Sequence, residues 1–149
     1  MANTIQIRRG AKASLPTLDV ARFGFTTDTY QLYIGKGAEN VPILLNRTTS
    51  IASSATPTPN CDTTDNYVIT ALAEAATFGA PTGTPIQGQK LIIRIKDNGT
   101  ARALAWNAIY VARGQTLPAT TILGKYLRVG LIYNSQASTW DCVATAQEA

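Results

Sequence analysis

The residues able to do chemistry in this chain are few and poorly placed for it. None of its 149 residues is histidine, which removes Ser-His-Asp and Cys-His nucleophile systems and the commonest transition-metal ligand. The two cysteines, Cys61 and Cys142, flank the C-terminal half and do not make a zinc site. Asp62 and Asp65 in "NCDTTDNY" bring two carboxylates together, as a general acid/base pair or a calcium loop would. The segment lacks the Asp-x-Asn-x-Asn-Gly run of such a loop, and the two read as turn formers ahead of a strand. "GKG" at 35–37 has no following Lys-Ser/Thr at phosphate-loop spacing. No pair among the nine acids stands out as the two carboxylates a glycosidase needs. The tyrosines and tryptophans offer a sugar platform in principle, but at strand spacing they read as core or subunit contact. No enzyme, metal or cofactor is expected.

The elements that must position these residues are strands. Hydrophobic residues make up 45% of the chain and charged residues only 15%, below the usual share of about 25%. Thr, Ala, Ile, Gly and Asn outweigh the Glu, Lys and Leu of helical domains, so the expectation is an all-β chain. The net charge is +4, but the 13 Lys and Arg are scattered and densest at Arg8-Arg9. A basic balance without clustering does not point to nucleic acid. No apolar run approaches the roughly 18 residues of a membrane span, and "MANTIQIRRG" has no apolar export signal. Synthesis in a cytoplasm is expected, and with it two reduced, packed cysteines.

The chain divides by composition. Residues 46–60, "NRTTSIASSATPTPN", read as a linker between an N-terminal module (1–45) and a C-terminal domain (61–149). The module is close to the size, about 40 residues, below which a core needs disulfides, metal or partners. It holds neither Cys nor His, which leaves partners. Its strands are expected at 4–9, 22–27, 31–35 and 41–45. Ile5 and Ile7, then Phe23 and Phe25, alternate with other residues, and "TTDTY" is a turn. Such a sheet has too little chain to cover it, so several intertwined copies round one axis are expected.

In the C-terminal domain, "QKLIIRIKDNGTARALAWN" reads as a hairpin closed by Asn98-Gly99. Its register sets Ile95 against Arg102, Ile93 against Leu104 and Leu91 against Trp106. The face formed by Leu91, Ile93, Ile95, Leu104 and Trp106 is the expected core. A second hairpin joins 125–134 to 139–146 through "SQAS". Shorter strands are expected in "AIYVARG" and "TLPATTILG", and a short helix in "TALAEAATFG" (70–79). The spacing suggests a β-sandwich or jelly roll.

Three ordered blocks carry a resemblance. Ile5, Ile7, Arg8, Arg9 and Gly10 form the first; Gly24, Phe25, Thr27, Asp28 and Thr29 the second; Leu32, Ile34, Gly35 and Gly37 the third. Together they resemble the N-terminal module of bacteriophage fibre and receptor-binding proteins, that of the major tropism determinant and of phage hyaluronidases. Ala21-Arg22 replace the usual Gly-Glu and Lys36 the usual Asp. Gln89 to Trp106 and Lys125 to Ala144 resemble a β module of phage structural proteins.

The resemblance implies a trimerising module close to the attachment to the virion. Pattern and resemblance together nominate Ile5, Ile7, Arg8, Arg9, Phe23, Phe25, Leu32 and Ile34 for trimer and virion attachment. The expected protein is a non-enzymatic virion component: a homotrimer on the particle surface, as a short head fibre or capsid decoration, with other virion proteins as partners. The alternative is a short tail fibre or receptor-binding protein contacting host-surface glycan. A weaker one is a monomeric carbohydrate-binding domain from a cell. Neither nucleic acid nor membrane is expected as a partner.

Overall fold

The computed structural model describes residues 7–43 and 46–148, and Ile5 lies outside them. The chain forms two compact units, Met1–Asn46 and Arg47–Ala149. Among the described residues the only helical element is one 3-10 turn, Lys12–Ser14. Among the described residues no helix is long and apolar enough to cross a membrane. The all-β expectation holds.

The first unit is a four-stranded sheet in sequence order: β1 (Ile7–Gly10), β2 (Phe23–Thr26), β3 (Gln31–Gly35) and β4 (Asn40–Ile43). β1 runs parallel to β2, and the other two pairings are antiparallel. The parallel pair is possible because residues 11–22 form a crossover. β2 and β3 begin and end within one residue of their expected positions, and residues 4–6 and 44–45 of the expected first and fourth strands lie outside the described residues.

The second unit is built on a mixed six-stranded sheet of order β10-β12-β11-β8-β6-β5. Its strands are β5 (Thr48–Ile51), β6 (Asn66–Leu72), β8 (Lys90–Asp97), β10 (Tyr110–Ala112), β11 (Tyr126–Asn134) and β12 (Thr139–Gln147). A smaller layer pairs β7 (Ala76–Phe78) with β9 (Leu104–Trp106) in parallel. Between the layers lie Leu91, Ile93, Ile95, Leu127, Val129, Leu131, Phe78, Leu104 and Trp140, all buried. Trp106 is half-buried at the margin, stacked on Phe78 with ring centroids 4.3 Å apart. Cys61 and Cys142 are buried free thiols.

Four expectations fail here, each for a local reason. The Asn98-Gly99 hairpin does not form, because both edges of β8 are already taken by β6 and β11. The turn is real, but its acceptor is the Asp97 side chain, which takes the Gly99 amide at 3.0 Å. The chain then leaves the sheet, and β9 pairs with β7. The expected helix at 70–79 is the end of β6 and all of β7, where Ala76 and Phe78 point alternately into the core, a period of two. The segment "TLPATTILG" contributes only an isolated bridge, Ala103 to Thr120. The expected linker 46–60 contains β5, which is parallel to β6 and anchored by Arg47. The hairpin of β11 and β12 takes the expected form, with Asn134 opposite Thr139, and the short strand expected in "AIYVARG" is β10.

Candidate functional site

Strand alternation gives the N-terminal sheet two unlike faces. Gly24, Thr26, Gln31, Tyr33 and Gly35 are buried. Over them lies the crossover 11–22, whose Leu18 is only 2% exposed. The two leucines close directly over Gly24, where a Cβ would stand 2.8 Å from Leu15 Cδ1 and 2.9 Å from Leu18 Cδ1. Asp28 pins the start of the crossover, its two carboxylate oxygens accepting the Lys12 amide at 2.9 and 3.0 Å. Asn40 pins its end: Oδ1 accepts the Leu18 amide at 2.9 Å and Nδ2 donates to the Pro16 carbonyl at 3.0 Å. Beneath it Thr26 meets Thr29 hydroxyl to hydroxyl at 2.5 Å, and Tyr33 donates to Gln31 Oε1 at 2.7 Å. This polar layer is satisfied internally, so that face is closed.

Among the described residues of this unit, the other face is apolar and partly exposed. The register lines up Ile7 with Phe23, Phe23 with Ile34, Phe25 with Leu32, Leu32 with Ile43 and Ile34 with Val41. Residues opposed in register share a face. Ile7 is 56% exposed and Ile43 40%, while Phe23, Phe25, Leu32 and Ile34 are half-buried. Arg9 shares this face through its pairing with Phe25. Arg8 is opposite Gly24, on the crossover side, where it lines a depression of about 370 Å³ with Arg9, Gly10, Ser14, Leu15 and Pro16. Of the nominated residues, then, Ile7, Arg9, Phe23, Phe25, Leu32 and Ile34 come together and Arg8 does not. Val41 and Ile43 also belong to the face, and their period-two spacing in "NVPI" was the available signal.

The departures from the family pattern have visible effects. Ala21, in place of the usual Gly, has a φ of 63°. Arg22 pairs with Asp19 at 3.1 Å. Lys36 pairs with Glu39 at 2.9 Å, and that bond and charge hold its amine above the ordinary value. The positive φ of Gly37, 97°, explains the glycine that ends the third block.

In the second unit, outside this face, lies one ion pair nearly closed to solvent. Arg47 donates from Nε to Asp65 Oδ2 at 3.0 Å and from Nη2 to Oδ1 at 2.8 Å. It also reaches the carbonyls of Asp62 and Cys61. Asp65 is therefore a structural partner. The Asp62 carboxylate accepts from the amide and hydroxyl of Thr84, each at 3.1 Å. Among the described residues, no three of His, Cys, Asp and Glu are grouped so as to hold a metal ion.

Comparison with known proteins matches the first unit. Residues 5–39 fit the family model of the major tropism determinant N-terminal domain. The match covers β1 to β3 and the crossover and stops before β4. The phage resemblance of the C-terminal half rests on its sequence phrases alone. No curated protein matches the chain. One solved structure, described as "Structure of a chaperone-substrate complex", aligns over 86% of this chain at 12% identity with a TM-score of 0.42. This chain spans 25% of that one, and a likeness at that level carries no argument.

Proposed function

We propose that the protein is a non-enzymatic bacteriophage virion component that assembles as a homotrimer through the uncovered face of its N-terminal sheet. The observation that carries this reading is the pairing of one closed face with one open apolar face. A small sheet with one bare apolar face is marginal by itself in water, and contiguous exposed apolar surface marks an interaction site. Three copies packing Phe23, Phe25, Leu32 and Ile34 round one axis would bury it. The match to a phage domain supports the virion setting, and the second unit is then the part displayed, as a short head fibre or capsid decoration.

The test is the solution mass by light scattering of the intact chain and of Leu32→Glu. The expected result is a trimer near three times 15.9 kDa and a monomeric variant. An intact chain that is monomeric overturns the reading. Copy number on purified virions then separates decoration, with many copies per particle, from a tail component, with few. The second reading, a short tail fibre contacting host-surface glycan, is favoured by a depression on the second unit that Arg94 and Arg128 line.

A further inference from the structure

The outward face of the six-stranded sheet carries a group of cations, Arg94, Lys96 and Arg128. Arg94 on β8 and Arg128 on β11 are directly opposed, and like charges opposite one another weaken a sheet. Two residues along, Lys96 is opposite Tyr126. The Arg94 guanidinium and the Lys96 ammonium both lie over the Tyr126 ring, 5.3 and 4.9 Å from its centroid. Among the described residues neither Arg94, Lys96 nor Arg128 forms an ion pair.

The neighbouring acids are committed elsewhere. Asp65 holds Arg47, Asp141 holds Arg113 and Thr139, and Glu148 accepts the Tyr126 amide. Arg94 Nε is buried without a hydrogen-bond partner, a donor whose desolvation is uncompensated. It borders a depression of about 410 Å³ lined by Thr48, Asn66, Val68, Ile92, Arg94 and Arg128.

We propose that this depression binds a sugar that bears a carboxylate. Arg94 and Arg128 both line the depression, and a guanidinium group matches a planar carboxylate with forked, charge-assisted hydrogen bonds. Thr48 supplies a hydroxyl for a ring hydroxyl, and Asn66 lines the same depression. Ile92, 42% exposed, and the buried Val68 supply an apolar floor for the C–H face of the ring. Single-stranded nucleic acid fits less well, because the one aromatic ring beside the site is already covered by two cations and offers no stacking platform. The proposal deepens the glycan-contacting reading, lies wholly within Arg47–Ala149, and does not depend on trimerisation.

The test is calorimetric titration of the intact chain with trigalacturonate, triglucuronate and sialyllactose. Maltotriose, inorganic phosphate and a hexaglutamate peptide serve as comparisons. Expected is binding of at least one acidic sugar, weakened by added salt and roughly tenfold or more tighter than maltotriose or phosphate. Arg94→Gln and Arg128→Gln should each weaken it by roughly tenfold, the size of one lost charged contact. Neither should lower the melting temperature, since each relieves the opposed pair.

Binding of none of the acidic sugars overturns the proposal, as does equal binding of maltotriose or unchanged affinity in both variants. Tighter binding of phosphate or hexaglutamate also overturns it, in favour of a bare-anion site or an acidic protein segment. Leu32→Glu should keep the sugar affinity per chain, so failure of the trimer and failure of this site are separable.

Discussion

Gly35 and Leu18 are in closer contact than any side chain would allow. A Cβ on Gly35 would stand 2.6 Å from the Leu18 carbonyl oxygen and 2.7 Å from Leu18 Cβ, and closer still to the Asp19 carbonyl oxygen. The backbone at 35 also donates its amide to the Arg22 carbonyl at 2.8 Å and accepts the Ala21 amide at 3.0 Å. The crossover is thus stitched to the end of β3 through a position with no room for a methyl group. Gly35→Ala is expected to destabilise the N-terminal unit by about 3 kcal/mol, the upper end of overpacking costs. Gly24→Ala, which meets only the flexible ends of Leu15 and Leu18, should cost less. Hydrogen exchange of the β2 and β3 amides measures both.

Ala21 is the opposite case, a side chain where none is wanted. At a φ of 63° an alanine is in the left-handed region, which costs an L-residue roughly 1–2 kcal/mol. Ala21→Gly removes that strain but gives the unfolded chain more freedom, so the net expected gain is about 0.5–1 kcal/mol. Denaturant unfolding of the N-terminal unit, followed by exchange or fluorescence, should show the midpoint move up. An unchanged or lower midpoint would mean that the alanine is not strained.

These glycines bear on how much of the fold the sequence discloses. The open face is legible from Phe23, Phe25, Leu32 and Ile34, because period-two alternation is a local signal. That Leu15 and Leu18 close the opposite face is not, since two leucines in an irregular loop have no period. Asn98-Gly99 has the residues of a hairpin turn and does turn. Which strand comes next is decided by the competition for the edges of β8, won by β6 and β11. The Arg94–Arg128 opposition is equally hidden: it depends on a register between strands that are more than twenty residues apart.

The Arg47–Asp65 pair ties the start of β5 to the turn before β6. Both side chains are nearly closed to solvent, at 8% and 14% exposure, and Asp65 Oδ2 also accepts the Arg47 amide at 2.7 Å. Asp65→Ala leaves a buried guanidinium without its carboxylate and is expected to cost about 3–5 kcal/mol. Arg47→Met with Asp65→Leu removes both charges and should recover much of that loss. Melting of the single and double variants measures the difference. A mild effect of Asp65→Ala would show that the Asp62 and Cys61 carbonyls are enough to hold Arg47.

The last prediction concerns acid, and it turns on Asp97 at the end of β8. Its side chain is 2% exposed, and burial by itself pushes the carboxyl up. The Gly124 amide at 2.8 Å, the Thr121 hydroxyl at 2.8 Å and the Gly99 amide at 3.0 Å outweigh that. With the Arg102 charge, they hold the group below its ordinary 3.8. Asp141 is lowered in the same direction, by Thr139, Asn134 and Arg113 against its own burial. A carboxyl lowered in the folded state stabilises above its unfolded value and loses that contribution as pH falls through the folded one. Stability should therefore stay level between pH 5 and 8, where the chain has no histidine to titrate, and should fall below about pH 3.8. Asp97→Asn should melt lower at neutral pH and lose less on acidification than the natural chain. Melting temperature against pH for both proteins measures this, and parallel acid limbs would show that Asp97 is not among the groups responsible.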